Sequence, residues 1–143
     1  MTFEKINHST CFLYMSVYAT VDTSRFPLVF VTFTGNKATD DNFQHYLQDL
    51  SAIYDRKSAL GIVFDASSAD LPAFRYQRMQ ADWLAEHRDL IRTYCRGTAY
   101  VIPNPLLRHI LKSIFALQGQ PAPFQVVPER ALAEDWVNHQ LSS

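Results

Sequence analysis

Hydrophobic positions along this chain switch between a period of two and a period near 3.6. Residues 11–21 (CFLYMSVYATV) are dense in aromatic and β-branched side chains, and after the polar turn Asp22-Thr23-Ser24-Arg25 a second run, 27–34 (PLVFVTFT), is mostly apolar on both sides. These runs predict a strand with one covered face and an interior strand, and the short turn predicts that they pair antiparallel. Thr39-Asp40-Asp41 offers an N-cap and first-turn negative charge. Phe43, Tyr46, Leu47, Leu50, Ile53 and Tyr54 follow at helical spacing, so this helix should bury one face on the sheet. Residues 60–64 (LGIVF) predict a third strand. A long helix over about 73–94 is predicted from Tyr76, Met79, Trp83, Leu90, Ile91 and Tyr94.

Residues 98–102 (TAYVI) read as a strand buried on both faces. Pro103-Asn104-Pro105 ends it, with Asn104 placed to cap a helix that has Pro105 at its first position. Leu106, Leu107, Ile110, Leu111, Ile114, Phe115 and Leu117 carry that helix, and Gly119 with Pro121 stops it. Being apolar round most of its circumference, it is expected to be a central, buried helix that the rest of the chain covers. Residues 123–127 predict a fifth strand. Pro128-Glu129 opens a last helix facing inward through Leu132, Trp136, Val137 and Leu141.

Two strands, three helix–strand alternations and a terminal helix predict one α/β domain over residues 1–143, built as a five-stranded, mostly parallel sheet with an antiparallel N-terminal strand and four helices. A chain of 143 residues, 48% hydrophobic and 19% charged, is long enough and apolar enough for one packed core. Its net charge of −1 gives no general pull toward nucleic acid. Charge is unevenly spread: between residues 75 and 112, Arg75, Arg78, Arg88, Arg92, Arg96, Arg108 and Lys112 face only Asp82, Glu86 and Asp89. Without Gly-Lys clusters or an exposed aromatic platform beside them, these arginines read as solvated faces, intrahelical pairs or a partner surface. The two cysteines, Cys11 and Cys95, form no metal pattern and read as reduced thiols. No apolar run reaches membrane-spanning length and no leader is recognisable, so a cytoplasmic protein is expected.

Enzyme signatures are sparse. There is no GxGxxG, GxxxxGK[ST] or GxSxG, and the five histidines show no HxxxH or HExxH spacing. His87-Arg88-Asp89 matches three letters of a kinase catalytic loop, but it falls mid-helix in a chain too small for that fold. Open α/β sheets bind ligands outside the carboxyl ends of their strands. Three stretches reach that rim: 35–40, 65–70 and 103–108. Asp65, Ser67, Ser68, Asp70, Asn104, Arg108 and His109 are therefore the candidate partner- or ligand-binding residues, with capping and turn chemistry as the competing explanation for the Ser, Asp and Asn positions. No catalytic residue, metal or cofactor is assigned.

Trp83-Leu84-Ala85-Glu86-His87-Arg88, Cys95-Arg96-Gly97-Thr98-Ala99-Tyr100-Val101, Pro105-Leu106-Leu107-Arg108 through Phe115-Ala116-Leu117, and Pro123-Phe124-Gln125-Val126-Val127 followed by Ala131 and Trp136 together resemble the SpoIIAA-like group of bacterial proteins, related to STAS domains and to the CRAL-TRIO lipid-binding fold. The resemblance implies a non-enzymatic module that acts by binding a protein partner. In anti-sigma-factor antagonists of the STAS group, a serine in a DSSG-like loop is phosphorylated. The similar place here is Asp65-Ala66-Ser67-Ser68-Ala69-Asp70, where Ala66 intrudes and Ala69 replaces the glycine, which makes Ser67 and Ser68 the candidate phosphorylation sites. Three other readings stay open: a small apolar ligand or lipid held between the sheet and the 105–118 helix, a homodimer through the same apolar stripe, and an enzyme acting through His109 with Asp65 or Ser67.

Overall fold

The computed structural model describes residues 16–143. Five strands, β1 (Ala19–Asp22), β2 (Leu28–Phe33), β3 (Leu60–Asp65), β4 (Cys95–Val101) and β5 (Phe124–Val127), form one sheet in sequential order, with β1 antiparallel to β2 and the rest parallel. The expected strand of residues 11–21 is seen in its last part; residues 1–15, with His8 and Cys11, lie outside the described residues. Among those described, the helices are α1 (Asp40–Ile53), α2 (Phe74–Glu86), α3 (Arg88–Tyr94), α4 (Pro105–Gln118) and α5 (Arg130–Ser142), with a 3₁₀ turn over Tyr54–Arg56.

The count of four helices is corrected to five, because the helix expected over 73–94 breaks at His87. There the backbone adopts φ −104°, ψ 9°. The His87 ring stacks on Trp83 with centroids 4.3 Å apart, and its Nδ1 lies 2.8 Å from the Trp83 carbonyl oxygen. From the other side, Ser51 of α1 lies 3.2 Å from His87 Nε2 and accepts a hydrogen bond from Trp83 Nε1 at 2.8 Å. The turn is thus fastened to α1 where the periodicity of the sequence runs straight through.

Sequential strand order has a consequence for the layers. Each β–helix–β crossover steps one strand in the same direction with the same right-handed sense, so α1, α2 with α3, and α4 all fall on one face. That face holds a core of Val29, Val31, Phe43, Leu50, Leu60 and Ile62 among others. Thr39 and Asn42 cap α1 reciprocally at 3.1 and 2.7 Å, as the Thr39 signal predicts. The opposite face is covered by α5, whose Ala133 and Val137 meet Leu28, Phe30, Val63, Ala99 and Val101. Two glycines admit that helix: a Cβ on Gly61 would stand 2.4 Å from Val137 Cγ1, and one on Gly97 would stand 2.9 Å from Trp136. Arg96 is the extra residue of a β-bulge, since Leu60 pairs with Cys95 while Gly61 pairs with Gly97. The bulge lets Cys95 and Gly97 point to opposite faces despite their even spacing.

The expectation of a buried α4 is overturned. No residue of α4 is buried, and Leu106, Leu107, Ile110, Ile114 and Leu117 are exposed. The helix holds to the sheet edge mainly through Phe115, which packs on Tyr100 and Phe124 with ring centroids 4.9 and 5.7 Å apart. As the last of the three crossovers on the shared face, α4 falls over the short edge strand β5 and no later element covers its outer side.

Candidate functional site

The rim at the carboxyl ends of the parallel strands is where most of the sequence-predicted residues fall. Asp65 ends β3 and pairs in register with Thr32 and Val101. Its side chain points to the α5 face, as alternation from the buried Val63 requires. Asp65 Oδ1 accepts from the Ser67 amide at 3.0 Å and the Ser67 hydroxyl at 2.6 Å. Oδ2 accepts from Arg130 Nη1 at 3.0 Å. Partial burial by itself pushes the Asp65 carboxyl up; the Ser67 hydroxyl and amide, then Arg130, outweigh it and hold the acid below its ordinary range.

Arg130 is the site residue that sequence reasoning missed. As the first residue of α5 it puts a positive charge where the helix dipole disfavours one. Asp65 offsets that cost, and the guanidinium also lies over Phe30, 4.5 Å from the ring centroid. Arg25 covers the same ring from 5.0 Å and pairs with Glu134. The only signal of Arg130 in the sequence is a cation directly after Pro128-Glu129, which by itself names no partner.

Ser68 is exposed, and its backbone seats the neighbouring loop. A Cβ on Gly35, which has φ +88°, would come within 2.9 Å of the Ser68 carbonyl oxygen, so the 34–39 and 65–70 loops touch at a place suited to glycine. Between these loops opens a cavity of about 360 Å³ with Phe33, Tyr18 and Tyr76 among its walls, and Lys37, Asp70 and Leu71 also line it. Tyr76 donates to Asp40 at 3.0 Å, and Arg75 pairs with the same carboxylate at 2.7 Å, which fixes the start of α2 against α1. Past the cavity, Leu71 and Phe74 are 78% and 74% exposed.

Asn104, Arg108 and His109 do not join this cluster. Asn104 Oδ1 accepts from the Leu106 and Leu107 amides at 2.9 and 3.0 Å, a cap in the usual sense. Arg108 Nη1 donates to the Ile102 and Pro103 carbonyls at 2.9 and 3.2 Å, tying α4 to the end of β4. His109 is exposed on α4 and shares no hydrogen bond with Asp65 or Ser67. Beneath α4, Phe115 packs on Tyr100, and two cavities of about 360 and 510 Å³ open elsewhere, the larger beside Ser16, Asn42 and Tyr46. Among the described residues no group of three or more His, Cys, Asp or Glu side chains is placed to hold a metal ion. No helix among them is long and apolar enough to cross a membrane.

Among the described residues, a sheet in sequential order with one antiparallel edge strand, three crossovers on one face and a single closing helix on the other make an α/β fold of the SpoIIAA-like kind. Two solved structures share it. An uncharacterized DUF3478-family protein with a SpoIIAA-like fold from Shewanella loihica superposes with a TM-score of 0.65 at 12% identity, over 83% of this chain and 91% of that one. An anti-sigma factor antagonist from Mycobacterium paratuberculosis superposes with a TM-score of 0.53 at 14% identity, over 84% of this chain and 92% of its own. The resemblance read from residues 83–136 therefore holds at the level of the fold. No protein-family model and no curated protein matches the chain.

Proposed function

We propose that this protein is a non-enzymatic regulatory module that binds a protein partner through the 65–70 loop and the start of α2. The observation that carries the reading is the pairing of two large exposed apolar side chains, Leu71 and Phe74, with a polar rim of Ser67, Ser68, Asp70 and Arg75. Apolar anchors inside a polar rim are the anatomy of a transient protein interface. The solved anti-sigma factor antagonist supports the same class of role. The bonding of Ser67 suggests how such a surface is switched: a phosphate on Ser67 would replace a hydroxyl donor by a dianion against Asp65, breaking the 2.6 Å bond and competing for Arg130. Ser68, with no such tie, would accept a phosphate with less disturbance.

The test is affinity capture from the native host with wild-type protein, Phe74→Asp and Ser67→Asp, read by quantitative mass spectrometry. A partner retained by wild type and lost by Phe74→Asp supports the reading. Identical capture by wild type and Phe74→Asp would sink it.

A further inference from the structure

The cavity between the 34–39 and 65–70 loops has a chemistry of its own, separate from the exposed side chains beside it. Its apolar part comes from three rings on three parts of the chain: Tyr18 just before β1, Phe33 at the end of β2 and Tyr76 in α2. Tyr18 and Phe33 meet edge to face with centroids 5.6 Å apart. Tyr18 is only 8% exposed, and its hydroxyl has no hydrogen-bond partner among the described residues. Each loop adds one charge. Lys37 and Asp70 both line the cavity, both are exposed, and neither forms an ion pair among the described residues.

We propose that this cavity binds a small aromatic zwitterion, the chemical class of the free aromatic amino acids. The ring lies among Tyr18, Phe33 and Tyr76, the carboxylate faces Lys37 and the ammonium faces Asp70. A volume of about 360 Å³ is at the small end of the roughly 300–1,000 Å³ found for ligand sites, and suits one ring with a short polar chain. Charge narrows the class further. Lys37 alone would suit any aromatic acid and Asp70 alone any aromatic amine; together they match a molecule that carries both ends. A phosphate would meet Asp70 as a like charge, and an uncharged apolar ligand would leave both side chains unused. The walls are set in advance: the Lys37 carbonyl accepts from Asn42 Nδ2 at 3.0 Å, Asn36 Nδ2 donates to the Val17 carbonyl at 2.9 Å, and the two loops touch at Gly35 and Ser68. Such a site has little ordering cost on binding.

The experiment is amide-detected NMR titration of the full chain with phenylalanine, with phenethylamine, which lacks the carboxylate, with 3-phenylpropionate, which lacks the ammonium, and with alanine, which lacks the ring. Wild type, Lys37→Gln and Asp70→Asn are compared, and their spectra show that the variants fold. Phenylalanine should shift the amides of the two loops saturably at millimolar concentration, and alanine should not. Each charge variant should weaken phenylalanine by roughly two- to fivefold, as expected for an exposed ion pair. Lys37→Gln should leave phenethylamine unaffected, and Asp70→Asn should leave 3-phenylpropionate no weaker. Four results each overturn the proposal: no saturable shift with phenylalanine, shifts that fall outside the two loops, an analogue binding wild type as tightly as phenylalanine, or unchanged affinity for phenylalanine in both charge variants. The measurement needs only the purified chain, so its outcome is separate from whether a partner is captured.

Discussion

Arg130 Nη1 stands 3.0 Å from Asp65 Oδ2, joining the first residue of α5 to the last residue of β3 across 65 positions of sequence. The pair closes the α5 face of the sheet at the rim and, through Asp65 Oδ1, sets the position of Ser67. Arg130→Ala should therefore lower stability by about 1 kcal/mol, the modest figure expected for a half-exposed ion pair. A double-mutant cycle with Asp65→Asn, read by urea unfolding, should show coupling; additive single effects would dismiss the link.

Acid should weaken the same junction. Asp65 has a folded-state pKa below its unfolded value, so its contribution to stability is fully present above the ordinary carboxylate range and is lost as pH falls through the depressed folded value. Comparing urea midpoints of wild type and Asp65→Asn from about pH 7 to about pH 3 should show the gap between them closing at the acid end. A gap independent of pH would mean that the carboxylate charge contributes nothing there.

Ser67→Asp places a second carboxylate beside Asp65, where a hydroxyl now donates at 2.6 Å. The variant should unfold more easily than Ser67→Ala, because it adds repulsion to the loss of the hydrogen bond, while Ser68→Asp should be near neutral at its exposed position. Thermal melting of the three variants in low and high salt checks this. Salt should narrow the difference between Ser67→Asp and Ser67→Ala.

Gly61→Ala should cost about 1–3 kcal/mol, since the new Cβ would fall 2.4 Å from Val137 Cγ1 and force α5 off the sheet. Val137→Ala in the same chain should recover part of that loss by making room. Equilibrium unfolding of the single and double variants decides it. No recovery would place the strain elsewhere than at Val137.

Cys95 should be unreactive in the native state. It is buried, and burial pushes its thiol up to about 11 against partial relief from the Gly97 backbone, Tyr54 and Arg96, so little thiolate exists near neutral pH. Alkylation at about pH 8, mapped by peptide mass, should label the Cys95 peptide only after denaturant is added.

Much of the fold was legible in order and type. Thr39 and Asn104 cap the helices they announce because capping is a local hydrogen bond between residues two or three apart. Period-two and helical runs located the strands, since burial on a pleated surface or along a helix stripe imposes those spacings on any chain. The helix break at His87 was not legible, for it depends on Ser51, 36 residues away, meeting the ring from α1. Among the candidate site residues, Asp65 and Ser67 were found because strand ends and polar turns mark the rim. Arg130 was not, because a lone arginine gives no signal of which strand its helix will cross.

The sequence by itself determined the alternation of strands and helices, their caps, and through chain chirality the right-handed crossovers that march the sheet in one direction. Only the tertiary structure decided which apolar surface is covered. A stripe such as that of α4 records that hydrophobic side chains share one side of a helix, and it carries no information on how many other elements compete for the same face. Among the described residues three crossover layers occupy one side of this sheet and α5 alone occupies the other, so the most apolar of their helices ends at the edge, fastened by Phe115 and exposed from Leu106 to Leu117.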